Sequence, residues 1–345
     1  MREIDGSFGE GGGQLVRTAV ALAAITGQAV RINNIRARRS NPGLAPQHLT
    51  AVKAVAALCD AQVEGLRVKA QEILFRPGPL KSGQFRFDVG TAGSITLVVQ
   101  AVLPAALAAG GETAMHITGG TDVRAAPPLD YLRYVLSPLL AHMGVEVTLT
   151  AVRRGYYPRG GGEVDVTVRA GHGLRPVLLD CPGELRQISG AAHVANLPGH
   201  ITARMVQAAG EALRSFPAPR IEETLLGWPE AIGQGGAIVL WATCANTVLG
   251  AAATAQRGIP AERLGEDAGR AMAEEITSGA TLDFHAADQL LVYLALAKGH
   301  SRFLARSLSP HATTTMWLAE QFLPVRFTVK EIDRLVRVDV RPHAK

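Results

Sequence analysis

The order in which predicted elements recur along the chain constrains its fold most. A helix, a strand, a second helix and two strands fit residues 14–25, 29–33, 47–59, 62–68 and 72–75. The same order returns at residues 94–109, 113–118, 129–142, 145–152 and 163–168. A third copy fits residues 287–297, 301–305, 313–322, 325–330 and 335–340. Because the order repeats three times, we expect a mixed α/β (α+β) fold built from three helix-and-sheet repeats.

One long stretch does not follow this order. Between residues 184 and 278 the pattern becomes strand, helix, strand and helix, at residues 186–195, 201–215, 237–245 and 261–276. The third copy resumes only after it. We therefore predict a three-repeat domain made of residues 1–183 and 279–345, interrupted by a smaller α/β domain at residues 184–278.

Composition excludes several classes of protein. The chain has 345 residues, of which 47% are hydrophobic and 19% charged, the balance of a folded protein and not of a disordered one. The longest apolar stretch, residues 95–110, is shorter than the roughly 20 residues that a membrane-spanning helix needs. We therefore expect no membrane association.

The first residues and the cysteines bear on the compartment. The chain starts without the charged leader and apolar core of a secretory signal, so the cytoplasm is the expected location. Its three cysteines are widely separated and favour neither a disulfide framework nor a zinc site. The net charge of +5 is compatible with an anionic partner without requiring one.

A glycine-rich loop at residues 6–14 leads directly into the first helix. Glycines allow several backbone N–H groups to approach an anion at the positive end of a helix, which indicates phosphate binding. A tight structural turn is the alternative, since the loop is neither a Walker loop nor a dinucleotide fingerprint. Nearby cations favour the phosphate: Arg17 lies one turn into the helix, and Arg36, Arg38 and Arg39 follow the next strand.

His311 is the most interesting titratable residue. It follows Pro310 and precedes three threonines, at the start of a predicted helix. A neutral imidazole is a competent nucleophile near neutral pH, although a structural or surface role is the alternative. The sequence contains no nucleophile elbow, zinc-protease motif or paired cysteine ligands, which excludes the corresponding hydrolases.

Several ordered stretches together resemble the RNA 3′-terminal phosphate cyclase family. They include residues 9–17, 35–39, 42–44, 47–51, 91–97, 119–122, 126–128, 155–162, 287–290 and 322–325, and they span nearly the whole chain. The resemblance implies three repeats like those of enolpyruvyl transferases, with a smaller inserted α/β domain.

The resemblance also implies an activity: ATP-dependent conversion of an RNA 3′-phosphate to a 2′,3′-cyclic phosphate. The implied route passes through an enzyme-histidine adenylate and an RNA adenylate, and His311 falls at the position of the family nucleophile. The implied partners are ATP, an RNA with a 3′-phosphate end and a divalent metal, Mg²⁺ or Mn²⁺. A homodimer is left open.

The same resemblance implies roles for further residues. Glu10 is expected to help hold the metal ion, and the ATP or RNA phosphates are expected to bind Arg17, Arg36, Arg39 and Gln47. The nucleotide is expected to lie among Gln100, Pro127, His285, Asp288 and Gln289, with Pro127 packed on adenine.

Two positions depart from the family pattern. His285 stands where the family often has an aromatic residue, and Thr315 stands where it often has Asn. Two rivals share the architecture: a ribosome-assembly scaffold that has lost the nucleophile, and an enolpyruvyl transferase. The presence of His311 argues against the scaffold, and AMP transfer would separate a cyclase from a transferase.

Overall fold

A computed structural model of the chain describes residues 1–169, 171 and 173–343. It has four separate sheets and confirms the mixed α/β class. In the first repeat, a parallel pair of strands is extended by an antiparallel hairpin, in the sheet order β1-β2-β4-β3. Its elements are β1 (Arg2–Asp5), α1 (Gly13–Thr26), β2 (Val30–Asn33), α2 (Pro46–Leu58), β3 (Gln62–Glu64) and β4 (Ile73–Arg76).

The second repeat has the same topology, with a parallel β5–β6 pair and an antiparallel β7–β8 hairpin. A π-helical turn, Leu132–Leu136, separates α4 from α5 where we predicted one continuous helix. The elements are β5 (Gly83–Asp88), α3 (Ile95–Ala108), β6 (Glu112–Gly119), α4 (Leu129–Tyr131), α5 (Ser137–His142), β7 (Glu146–Gly155) and β8 (Gly162–Arg169).

The third repeat takes its first strand from residues that precede the interruption. Leu178 forms a parallel bridge with Arg302, and the backbone of Arg302 bonds to both Val177 and Leu179. Each repeat therefore has the order strand, helix, strand, helix, strand, strand, and the interruption follows the first strand of the third copy. Its later elements are α8 (Phe284–Leu296), β14 (Ser301–Ala305), α9 (Pro310–Phe322), β15 (Val325–Ile332) and β16 (Leu335–Pro342).

Residues 184–278, called the inserted segment below, contain a sheet of the order β10-β9-β12-β13. Helices α6 and α7 pack together and bury Met205 and Met272 with strand residues such as Ile188 and Leu240. Whether these residues are a separate domain stays a prediction. The elements are β9 (Leu185–Ala195), α6 (His200–Ala212), β10 (Arg220–Leu226), β11 (Ala231–Ile232), β12 (Gly235–Cys244), β13 (Val248–Thr254) and α7 (Ala261–Ser278).

The first helices of the repeats form the centre of the molecule. Helix α1 is buried continuously from Leu15 to Ala24, and α3 is buried over most of its length, as expected of helices packed on all sides. Helix α1 contacts α2, α3 and α9, and Gly13 at its N-terminal end lies against His48 in the first turn of α2. Among the described residues, no helix is both long and apolar enough to cross a membrane.

Candidate active site

The glycine-rich loop reaches α1 through left-handed backbone. Gly9 has a φ of +58°, and a Cβ placed there would lie 2.3 Å from the hydroxyl oxygen of Thr314. A Cβ at Gly13 would lie 2.0 Å from Nε2 of His48. Since both approaches require a residue without a side chain, the glycines let α9 and α2 close against the start of α1.

His311 occupies the first turn of α9, one turn earlier than the predicted helix start. Ser309 caps this helix by accepting a bond from the N–H of Ala312 at 3.1 Å, and Pro310 begins it. The imidazole is half-buried, and its Nδ1 lies 3.4 Å from Oε2 of Glu10. Nδ1 of the His311 ring therefore faces the carboxylate of Glu10.

Burial and the neighbouring charges keep His311 neutral. Burial lowers its pKa below the ordinary value of 6.5, and the cations Arg17 and Arg39 and the ring of His285 lower it further. The ring is thus in its nucleophilic form at neutral pH.

Glu10 lies between α9 and the turn that carries Arg39. Its carboxylate pairs with Arg39, and its N–H donates to Thr314 Oγ1 at 3.3 Å. Its side chain is 16% exposed. Glu10 is therefore fixed beside His311, with a charge that is already partly offset.

Arg17 is a buried cation, 8% exposed. Within residues 1–169, 171 and 173–343 its guanidinium has neither a carboxylate partner nor a side-chain hydrogen bond. Burial lowers its pKa to about 10, so it remains charged at neutral pH. A buried charge without a partner is costly, which indicates a place for a ligand anion.

A small cleft opens beside Arg17. Helices α1, α3, α8 and α9 supply its walls, which include Gln14, Gln100, Asp288, Gln289 and Thr315. The cleft therefore brings together Arg17 with three of the residues predicted to bind the nucleotide.

Two polar side chains in the cleft have unusual surroundings. Asp288 accepts a bond from the Ser309 hydroxyl at 2.6 Å, and burial raises its pKa to about 6. Oε1 of Gln289 is buried without a hydrogen-bond partner among the described residues. Because Ser309 also caps α9, Asp288 is linked to the turn that carries His311.

The remaining predicted residues lie around this centre. Arg36 donates to the carbonyl of Gly43 at 2.6 Å, and Gln47 accepts from the N–H of Ser94 at 3.4 Å. The carbonyl of Pro127 accepts from Thr96 at 2.8 Å, and Pro127 is not among the residues that line the cleft. His285 is exposed at the start of α8, 6.2 Å from the ring of Tyr131.

No functional role was predicted for Thr314, Ser309 or His48. Ser309 carries a signal that is visible in the sequence, because Ser before Pro is a common helix start. The contacts of Thr314 and His48 join elements that are distant in sequence, and no local pattern predicts them. Burial and the nearby cations Arg17 and Arg36 lower the pKa of His48 to about 3.

The side chains present could hold a divalent cation only if the phosphates of a substrate supplied further ligands. Across the described residues, no group of three or more His, Cys, Asp or Glu side chains could hold a metal ion. Mg²⁺ often takes one or two carboxylates, with phosphate oxygens and water as its other ligands. Glu10, largely buried in the middle of the glycine-rich loop, is a carboxylate of this kind.

Comparisons with known proteins match this chain over nearly its whole length. A family model described as RNA 3′-terminal phosphate cyclase matches residues 8–329. A protein of that name from Nitrosospira multiformis is 62% identical over 342 residues, 99% of this chain and 97% of the relative. Another, from Ignicoccus hospitalis, is 46% identical over 328 residues, 94% of this chain and 93% of the relative.

A solved structure was also matched. The enolpyruvyl transferase NikO from Streptomyces tendae aligns with 98% of this chain and 48% of its own chain, at 12% identity and a TM-score of 0.40. That score is too low to support a conclusion about the fold.

Proposed function

The chain belongs to the RNA 3′-terminal phosphate cyclase family, and from this membership we propose that it converts RNA 3′-phosphate ends to 2′,3′-cyclic phosphates with ATP, through AMP carried on His311. One observation carries the choice of nucleophile. The imidazole of His311 is kept neutral beside two arginines and faces the carboxylate of Glu10 at 3.4 Å.

In the first step, Nε2 of His311 attacks the α-phosphorus of ATP. A P–N bond forms, the bond between the α-phosphorus and its bridging oxygen breaks, and pyrophosphate leaves. The ring gains positive charge as this bond forms. Glu10, 3.4 Å from Nδ1, stabilises that charge and orients the ring so that Nε2 is free to attack.

Arginines are proposed to hold the phosphates during this transfer. Arg17 brings an unpaired buried charge, and Arg39 lies beside Glu10 at the exposed rim. Backbone N–H groups at the start of α1 add positive potential. A divalent cation held by Glu10 and the substrate phosphates would supply further charge neutralisation.

The later steps use the bound AMP to create a leaving group. An oxygen of the RNA 3′-phosphate attacks the AMP phosphorus, and the P–N bond to His311 breaks. The vicinal 2′-hydroxyl then attacks the 3′-phosphorus, a proton is released, and AMP leaves as the ring closes. Without adenylation the terminal phosphate would have to expel hydroxide, which is a poor leaving group.

The cleft beside Arg17 is the proposed nucleotide site. Gln100 and Gln289 offer amide groups to a base or ribose, and the unpartnered Oε1 of Gln289 can accept a bond from a ligand N–H. Asp288 is proposed to position His311 through the Ser309 cap. Pro127 and His285 are proposed to contact adenine at the edge of the site, where an imidazole replaces the usual aromatic ring.

Removal of the nucleophile tests this function. We expect His311→Ala to lose cyclisation of a single-stranded RNA 3′-phosphate by at least about a thousandfold, because the covalent route is removed. His200 is an exposed histidine at the first residue of α6 and provides a matched control. Full activity of His311→Ala, with His200→Ala also active, would contradict the proposal.

A further inference from the structure

The tip of the β7–β8 hairpin, residues 156–161, has no part in the adenylation site described above. Its Tyr157 is 80% exposed. Arg159 is also exposed and has no ion pair among the described residues. Proteins that bind single-stranded nucleic acid combine aromatic rings, which stack on bases, with cations that contact the backbone phosphates.

The tip lies against the turn that precedes α3. Gly160 has a φ of +66°, and a Cβ placed there would lie 2.7 Å from the carbonyl oxygen of Thr91. Three residues later, the N–H of Ser94 donates to Gln47. Only the turn at residues 90–93 thus separates the hairpin tip from Gln47, which is proposed to bind phosphate.

The path continues from Gln47 to the nucleophile. His48, the next residue, faces Gly13 at the start of α1. Glu10, in the same glycine-rich loop, lies 3.4 Å from His311. Contacts and short stretches of chain therefore connect the reacting centre to the hairpin tip.

The hairpin is rigidly supported at its base. Arg154 pairs with Asp122 at 3.1 Å and with Asp130 at 2.6 Å, and all three side chains are largely buried. Tyr156 is buried against Ala195 and Ala231. Such support lets Tyr157 and Arg159 bind a ligand without a large ordering cost.

A second unpaired cation lies nearby. Arg124 is exposed and, in the described part of the chain, has no ion pair. It follows Gly120, which bridges to Ser94 and whose Cβ would lie 2.5 Å from the carbonyl oxygen of Ala92. Arg124 therefore lies four residues after a glycine that packs against the turn at residues 90–93.

We propose that Tyr157 and Arg159 bind the RNA nucleotides immediately upstream of the terminal phosphate. A base stacks on the Tyr157 ring and a backbone phosphate pairs with Arg159, while the 3′-phosphate itself lies at the arginines near His311. This inference rests on the proposed function, because it places the rest of the substrate relative to that centre.

The test measures binding of a 5′-labelled single-stranded RNA 3′-phosphate without ATP. Tyr157→Ala should weaken binding about tenfold, and Tyr157→Phe should retain it, because stacking needs only the ring. Arg159→Ala should lower the slope of log Kd against log salt concentration by about 0.7, the effect of one lost phosphate contact on a single strand.

A matched control uses Arg220, an exposed arginine at the start of β10. In the sheet, Arg220 lies opposite Ser189 of β9, six residues from Ala195. Because Ala195 packs against Tyr156, Arg220 lies about 20 Å from Tyr156. Arg220→Ala should leave both the affinity and its salt dependence unchanged. Thermal unfolding of each variant verifies that it is folded.

Protein adenylation, measured without RNA, separates this inference from the proposed function. If the wild type adenylates and cyclises but Tyr157→Ala and Arg159→Ala bind RNA normally, the hairpin tip does not bind RNA and the proposed function stands. If the wild type neither adenylates nor cyclises, the proposed function fails. A selective loss of RNA binding in the two variants would still support RNA binding by the hairpin tip.

Discussion

At the scale of single residues, His311 and His48 show how the surroundings of an imidazole set its pKa. His311 is half-buried near Arg17 and Arg39, and both burial and charge lower its pKa. Its neutral form therefore persists below the pH at which an ordinary imidazole gains a proton. We expect the adenylation rate to stay flat from pH 8 to about 6.5 and to fall only below that range.

His48 should make the fold sensitive to acid. Its pKa in the folded state is about 3, compared with 6.5 for an ordinary imidazole, so the unfolded chain binds the proton more tightly. Its stabilising contribution is complete above pH 6.5 and is lost as the pH falls towards 3. The expected loss is about 2–4 kcal/mol over that range.

The variant His48→Gln tests this pH dependence through the free energy of unfolding. A side chain that cannot gain a proton should flatten the decline in stability between pH 6.5 and 4. His200→Gln, at an exposed histidine, should keep the wild-type profile. Equal slopes for His48→Gln and the wild type would show that His48 is not the acid-sensitive group.

Arg17 should lower the stability of the fold while supporting adenylation. Its guanidinium is buried without a partner in the described structure, so Arg17→Met should raise the free energy of unfolding by about 1–2 kcal/mol. The same change should lower adenylation by at least about a hundredfold, because it removes the charge that we propose binds phosphate. A variant that loses stability and keeps activity would contradict this role.

At the scale of elements, the start of α1 depends on a close approach between distant segments. Gly9→Ala would place a Cβ 2.3 Å from Thr314 Oγ1 and also force left-handed backbone on alanine. Gly27, at the other end of α1, has a similar φ of +68° with nothing within 4 Å of a Cβ. Alanine at Gly27 would therefore cause backbone strain alone, whereas alanine at Gly9 would cause both backbone strain and steric overlap.

We expect Gly27→Ala to cost about 1 kcal/mol of stability and no adenylation activity. Gly9→Ala should cost about 2 kcal/mol or more and most of the activity, since the loop must move away from α9. Urea unfolding and AMP labelling of both variants measure the difference. Equal effects would mean that contact with Thr314 does not shape the loop.

The helices could be predicted from the sequence because their apolar periodicity is local. Helix α7 was predicted at residues 261–276 and extends over Ala261–Ser278. Several strands were missed for physical reasons. β1 has only four residues of mixed polarity, and β10 is an edge strand whose side chains are mostly exposed, so neither carries a strong pattern.

The candidate site was harder to predict than the fold. Motifs pointed to Glu10 and His311 separately, but their 3.4 Å contact joins residues 301 positions apart. The leading strand of the third repeat is likewise separated from α8 by the whole inserted segment. Contacts of this kind depend on packing, and a single sequence does not encode them in any local pattern.

At the scale of the whole molecule, a buried ionic cluster joins the second repeat to the inserted segment. Arg154 pairs with Asp122 and Asp130, and His193 of β9 lies 3.6 Å from both carboxylates. Removing one partner leaves a buried charge uncompensated, which costs far more than loss of an exposed pair. The cluster therefore couples the stability of the two parts.

Asp130→Asn should lower the free energy of unfolding by about 3 kcal/mol. Glu112→Gln, which breaks an exposed pair with Arg169, should change it by at most about 0.5 kcal/mol. Chemical denaturation of both variants gives the comparison. Similar small losses would show that the cluster does not couple the two parts.

The central claim, that His311 carries AMP, is tested most directly by peptide mapping. The protein would be incubated with ATP and Mg²⁺ in the absence of RNA, digested at alkaline pH and analysed by mass spectrometry. We predict one AMP-bearing peptide, modified at His311 and unmodified at His48 and His285. AMP on a different residue, or cyclisation of RNA by a protein that never carries AMP, would contradict the account.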